Sequence, residues 1–102
     1  MKKILLGLLG AFALSSQAFA YTECTVNITR IFSGDDGAIW VIYQEGGYFN
    51  IYKDDPNQKN SFTLATAALM AGNQIIVRFK SDNVPCAVGK SGDFAGLWLL
   101  KK

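Results

Sequence analysis

The run Ser61–Lys80, SFTLATAALMAGNQIIVRFK, changes its apolar period halfway along, and that change limits what the chain can become. In the first half, Leu64, Ala65, Ala68 and Leu69 recur at helical spacing. Ser61 suits the N-cap, because its hydroxyl can accept from a free amide of the first turn. Gly72 can take the left-handed conformation that ends a helix, and Asn73 suits the turn beyond it. From Gln74 the period falls to two: Ile75, Val77 and Phe79 point one way, Ile76, Arg78 and Lys80 the other. A helix is thus followed at once by a half-buried strand.

Strand patterns flank this unit. Cys24–Phe32 alternates Val26 and Ile28 with Thr25, Asn27 and Thr29 and is predicted as the first strand. Ser33–Gly37 reads as a turn; it lacks the distal Glu and the spacing of a calcium loop. Asn27-Ile28-Thr29 matches a glycosylation acceptor and is read as chance beside a leader of bacterial appearance. Ala38–Tyr43 is the second strand, Gln44–Gly47 a hairpin turn, and Tyr48–Tyr52 the third strand. In that third strand Phe49 and Ile51 share one face, Tyr48, Asn50 and Tyr52 the other. Lys53–Asn60 is a polar loop broken by Pro56. After the helix and the fourth strand come a loop, Ser81–Asp93, and a fifth strand, Phe94–Leu100. Gly96 within it marks a bulge or a close backbone approach. The fold class is mainly β with one helix, in the order β-β-β-α-β-β. That is the order of an OB-fold-like five-stranded barrel, with another small α+β sheet as the alternative.

Residues 1–20 stand apart. Lys2 and Lys3, the uncharged apolar run Ile4–Leu14 and Ala18-Phe19-Ala20 have the composition of a secretory signal peptide, too short in its apolar part to span a bilayer. Cleavage leaves a single domain, residues 21–102, in the periplasm or outside the cell, with no membrane span. Both cysteines, Cys24 and Cys86, fall in that domain, so export predicts a disulfide between them. It would tie the first strand to the loop after the fourth, at about 4 kcal/mol by loop entropy. Losing Lys2 and Lys3 also takes the net charge from +2 to zero. A neutral domain has no electrostatic reason to bind nucleic acid or an anionic membrane.

The chemistry-bearing residues are few. The chain has no histidine, so a Ser-His or Cys-His nucleophile pair cannot be built. The committed cysteines leave no thiolate metal cluster. Asp35, Asp36, Asp54, Asp55, Asp82 and Asp93 sit in turns, where carboxylates ordinarily serve the turn and solvent. No metal site, cofactor or catalytic residue is expected. The aromatics are the informative side chains. Trp40, Tyr48, Asn50, Tyr52 and Arg78 are the candidate contact surface: flat rings for a sugar or a protein, an amide with donor and acceptor, and a fork of donors. The same tyrosines would also serve as ordinary cover for a barrel.

Ser61-Phe62 through Val77, followed by a loop and Phe94-Ala95-Gly96-Leu97, resembles the helix, fourth strand and last strand of the receptor-binding B subunits of pentameric bacterial toxins, the subtilase-cytotoxin and pertussis-like group. The resemblance covers about half of residues 21–102. It implies an exported OB-fold with a disulfide, a ring of five subunits, a glycan ligand and an enzymatic A-type chain as partner. It carries over no glycan-binding residue, because the first three strands hold no matching motif. The ECT…ITRIFSGDDGAIWV start and the DPN loop also resemble small exported bacterial proteins, a likeness that implies no activity. Two functions follow: an oligomeric glycan-binding module, or a monomeric exported domain that binds a protein or has a structural part in the envelope.

Overall fold

The segment around Asn27 decides the architecture. A computed structural model describes residues 21–102; the expected signal peptide, residues 1–20, lies outside the described residues. The single strand expected over Cys24–Phe32 is two: β1, Thr22–Val26, and β2, Ile28–Ser33. They belong to different sheets. Alternation nevertheless runs straight through the break, since Cys24, Val26 and Ile28 are all buried. A period of two reports which face a side chain takes; it does not report which strand the backbone bonds to.

Asn27 leaves the ladder because the next hairpin claims its polar groups. Its backbone N–H and side-chain Nδ2 donate to the two oxygens of Glu45, at 3.0 and 2.8 Å. Its carbonyl accepts from the Gln44 N–H at 2.7 Å. A bulge follows, with Ile28 opposite Tyr43 but Arg30 opposite Ile42. The extra residue, Thr29, donates its hydroxyl to the Ile42 carbonyl.

The first sheet is antiparallel β2-β3-β4, with β3 at Ile39–Tyr43 and β4 at Tyr48–Ile51. The second is antiparallel β1-β5-β6, with β5 at Ile75–Phe79 and β6 at Phe94–Leu99. The fold is therefore mainly β with one helix, but with six strands in two three-stranded sheets rather than five in a closed barrel. Among the described residues no hydrogen-bonded ladder joins β4 to β6. The two strands meet only through side chains, with Phe49 stacked on Phe94 at 5.0 Å between centroids. Val26, Val41, Phe49, Ile51, Ile75, Val77 and Phe79 fill the space between the sheets and are fully buried. Each such side chain contributes roughly 1.5–3 kcal/mol.

Helix α1, Gln58–Ala71, starts earlier than the expected Ser61 cap. Asn57 occupies the cap position without a side-chain cap bond. The start is fastened instead by Gln58, whose Nε2 donates to the Gly37 and Ile51 carbonyls at 2.8 and 2.9 Å. Ser61 lies inside the helix and is buried with Ala65 and Ala68, while Leu64 faces outward. Of the expected stripe, Ala65 and Ala68 are buried and Leu69 packs against the core, so Leu64 alone departs from it. Gly72 ends the helix as expected, at φ 71°, donating its N–H to the Ala68 carbonyl.

The Lys80–Asp93 connection is strapped down. Cys24 and Cys86 form the disulfide, across 62 positions. The buried Asp93 takes the Ser81 N–H and hydroxyl on its two oxygens, at 2.9 and 3.0 Å. Phe79 pairs with Phe94 and Arg78 with Gly96, so Ala95 is an extra residue. Of the two readings of Gly96, the bulge is the one found; a Cβ built there meets nothing within 4 Å.

Slight burial pushes the Glu45 carboxyl up, but the Asn27 donors outweigh it and hold it below its ordinary 4.5. A depressed carboxylate contributes stability above its unfolded value and loses it as pH falls through the folded one. Glu45→Gln should therefore be less stable than the parent at neutral pH, and the gap should close as pH drops below 4.5. Urea midpoints at both pH values measure this; a gap independent of pH would show that Glu45 does not hold the bend through its charge.

Candidate functional site

Because β4 and β6 do not pair, their seam is open at one end, and a cleft of about 620 Å³ lies there. Its lining comes from separate parts of the chain. Asn50 belongs to β4 and Tyr52 follows it; Asp54, Asp55 and Pro56 come from the turn before α1. Lys80 follows β5, Gly92 ends the strapped loop, Phe94 and Ala95 open β6, and Tyr21 precedes β1.

Asn50 is the unusual residue of this set. Strand alternation places it opposite Phe49 and Ile51, on the face expected to meet solvent. It is nevertheless 2 % exposed, and its Oδ1 is buried without a hydrogen-bond partner. An unpaired buried acceptor costs about 1–3 kcal/mol, which folded proteins rarely leave uncompensated. Tyr52 and Tyr21 are exposed beside it. The Tyr52 hydroxyl shares a hydrogen bond with Ser91 Oγ at 3.2 Å, which links the cleft to the strapped loop. Asp55 Oδ1 accepts from the Asn57 N–H at 2.8 Å, leaving its other oxygen for the cleft.

A second group of side chains lies on the outer face of β1-β5-β6. Glu23 Oε2 takes Arg78 Nε and Nη2 at 2.8 and 2.7 Å, and Trp98 Nε1 at 3.2 Å. These bonds, Arg78's first, hold the Glu23 carboxyl below its ordinary value. The Arg78 guanidinium also lies 5.1 Å from the Tyr21 ring centroid and 5.9 Å from that of Trp98, both within cation–π range. Beside it a shallow depression of about 220 Å³ runs over Gly96, between Arg78 and Trp98. The bulged Ala95 borders both depressions.

The five residues singled out from the sequence thus fall in three places. Asn50 and Tyr52 line the cleft. Trp40 and Tyr48 stack on each other at 5.3 Å and do not line it, although Trp40 is Asn50's cross-strand partner. Arg78 stands in the other sheet and meets the cleft only through Tyr21. The cleft residues missed by sequence reasoning are Tyr21, Asp54, Asp55 and Lys80. Their only signal was a polar, proline-broken loop and the two ends of strands. Among the described residues, no group of three or more His, Cys, Asp or Glu side chains gathers as a metal ligand set. Nor is any described helix long and apolar enough to cross a membrane. No family model, curated protein or solved structure matches the chain.

If Asn50 Oδ1 is an uncompensated acceptor, a similar-sized apolar side chain should be tolerated or better. Asn50→Leu is expected to leave stability unchanged or raise it by about 1 kcal/mol, as when a polar group is exchanged for an apolar one of like shape. A loss of more than about 1 kcal/mol in denaturant unfolding would mean that Asn50 serves the fold instead.

Proposed function

We propose that this protein is an exported, non-catalytic module that binds a glycan in the cleft between β4 and β6. The observation that carries the reading is the buried, unpartnered Oδ1 of Asn50 at a cleft flanked by two exposed tyrosines. The edge of the Asn50 amide that lines the cleft can hydrogen-bond a sugar hydroxyl while the sugar's C–H face packs on Tyr52 or Tyr21. A few convergent polar groups among flat apolar surfaces fix the orientation of such a ligand. Binding rather than hydrolysis is favoured because the cleft's two carboxylates, Asp54 and Asp55, are neighbours on one turn. Glycosidases need two carboxyl groups that flank the scissile bond.

Topology supports the reading by analogy. Taking β1 and β2 as one strand bent at Asn27 leaves five strands, with α1 between the third and fourth, which is the OB-fold order. OB-folds bind oligosaccharides and oligonucleotides on the face of strands two and three and on the first and fourth loops. Of the corresponding parts here, β4 through Asn50 and the end of the strapped loop through Gly92 line the cleft, whereas β3 and the first loop do not. This is fold-level analogy and ranks below the chemistry of Asn50. A disulfide in so small a domain, after a leader-like start, supports export.

The alternative, a domain that binds a protein, has its own observation: exposed Phe32 pairs across the sheet with Trp40, which stacks on Tyr48. The two surfaces are separable. On a glycan array the parent protein should bind, Tyr52→Ala should weaken binding at least about tenfold, roughly the 1.4 kcal/mol of a lost packing face, and Tyr48→Ala should change nothing. A blank array, or loss through Tyr48 alone, would move the function to the Trp40 face.

The ring of five implied by the toxin resemblance belongs to the same proposal. Its support is the edge strand β6, where Trp98 is 56 % exposed. Light scattering of the mature protein should give about five times the monomer mass, as an unpaired strand edge invites association. A clean monomer would remove the ring and the A-type partner while leaving the cleft untouched.

A further inference from the structure

Each sheet ends in two edge strands, and the strapped loop occupies one edge of each. On β1, the Thr22 hydroxyl donates to the Ser81 carbonyl at 2.8 Å and accepts from the Val84 N–H at 3.0 Å, and Cys24 is bonded to Cys86. On β4, the Tyr48 N–H donates to the Val88 carbonyl at 3.4 Å. The outer edges of β2 and β6 have no such cover. Among the described residues, neither strand makes a backbone bond outside its own sheet. Proteins ordinarily guard an open edge with a lysine, a proline or an inward-pointing charge. Residues 96–99 of β6 carry none of these, and β2 carries a single charge, Arg30.

The two open edges complement each other. On the outer face of β6, Gly96 and Trp98 flank Leu97, which packs against the core. Gly96 stands opposite Arg78, and with no side chain there the shallow depression lies open between Arg78 and Trp98. Its Arg78 wall is fixed, because Glu23 holds Nε and Nη2. On the outer face of β2, Arg30 and Phe32 flank Ile31, which packs against the core. Phe32 is 60 % exposed. We infer that β2 of one copy lies antiparallel along β6 of the next, with Phe32 seated over Gly96 and Arg30 over the Trp98 ring. This rests on the reading of the chain as a ring. An aromatic side chain across from an edge glycine covers the backbone that glycine leaves bare. Arg30 over Trp98 makes a cation–π pair. The register shifted by two residues would set Arg30 over Gly96 and beside Arg78, and like charges placed together are unfavourable. Because the two edges differ, each copy offers one and receives the other, a head-to-tail contact that builds rings rather than two-fold dimers.

The test follows the mass of the mature protein and its variants by sedimentation over a range of concentrations. Phe32→Thr, Gly96→Val and Trp98→Lys should each fall from the mass of the ring to that of the monomer, since each spoils one side of the contact. Trp98→Lys does so by placing a like charge beside Arg30. Phe32→Thr mixed with Gly96→Val should recover a complex of about twice the monomer mass, because a head-to-tail pair keeps one intact contact. Phe32→Thr mixed with Trp98→Lys should recover the same complex, and that mixture leaves the Gly96 backbone unaltered. Mixtures that stay monomeric would overturn the contact. Rings that persist in all the variants would overturn it too, and would leave the ring standing on another surface. A parent that is monomeric at every concentration would overturn ring and contact together. Circular dichroism and an unfolding curve for each variant separate loss of assembly from loss of fold.

Discussion

One carboxylate lets a single extended segment serve two sheets. Glu45 takes the backbone N–H and the side-chain Nδ2 of Asn27, and the Gln44 N–H takes its carbonyl. Every polar group of Asn27 that a ladder would need is thereby satisfied at the turn, so the chain can leave β5 and join β3 without an unpaired backbone group. The two sheets then diverge from this point. Their far strands, β4 and β6, approach closely enough for Phe49 to stack on Phe94 but do not share a ladder. The cleft is the space that this divergence leaves.

The strapped loop closes the structure from the other side. The disulfide fixes Cys86 against β1, and the Tyr43 hydroxyl donates to the Cys86 carbonyl at 2.6 Å. Gly89 lies so near the Tyr48 carbonyl that a Cβ would collide with it, and at φ 73° it also needs glycine's freedom. Asp93 gathers the loop's neck by accepting from both Ser81 donors. A long connection held at its middle and at its neck is a rigid wall, and Gly92 and Ser91, which reach the cleft and Tyr52, ride on it. Stability and site share the same fastenings.

Two buried side-chain oxygens are left unpaired among the described residues, Thr66 Oγ1 in α1 and Asn50 Oδ1 beside the cleft. Such an atom lowers stability, because its lost hydration is not repaid by a hydrogen bond. The neighbouring bulge at Ala95 belongs to the same pattern, since bulges redirect side chains at the rims of sheets and beside sites.

Local chemistry made several features legible in the amino-acid order. The change of period at Gly72 marked a helix ending in a strand, because left-handed backbone favours glycine and the two periods differ. Two cysteines behind a leader-like start left one pairing to expect. The alternation of β5 named its buried face correctly. Tertiary structure alone decided the rest. The split at Asn27 was hidden because side-chain alternation continues across it while the hydrogen-bond partners change. The burial of Asn50 was hidden because its period assigns it to an outer face, and what surrounds it there comes from distant parts of the chain, Tyr21, Phe94 and Ala95 among them. The cleft joins Tyr21, Asn50, Asp54, Lys80 and Gly92, whose spacing in sequence bears no period. Their convergence follows from where the strands end in space, and a one-dimensional pattern holds no record of that.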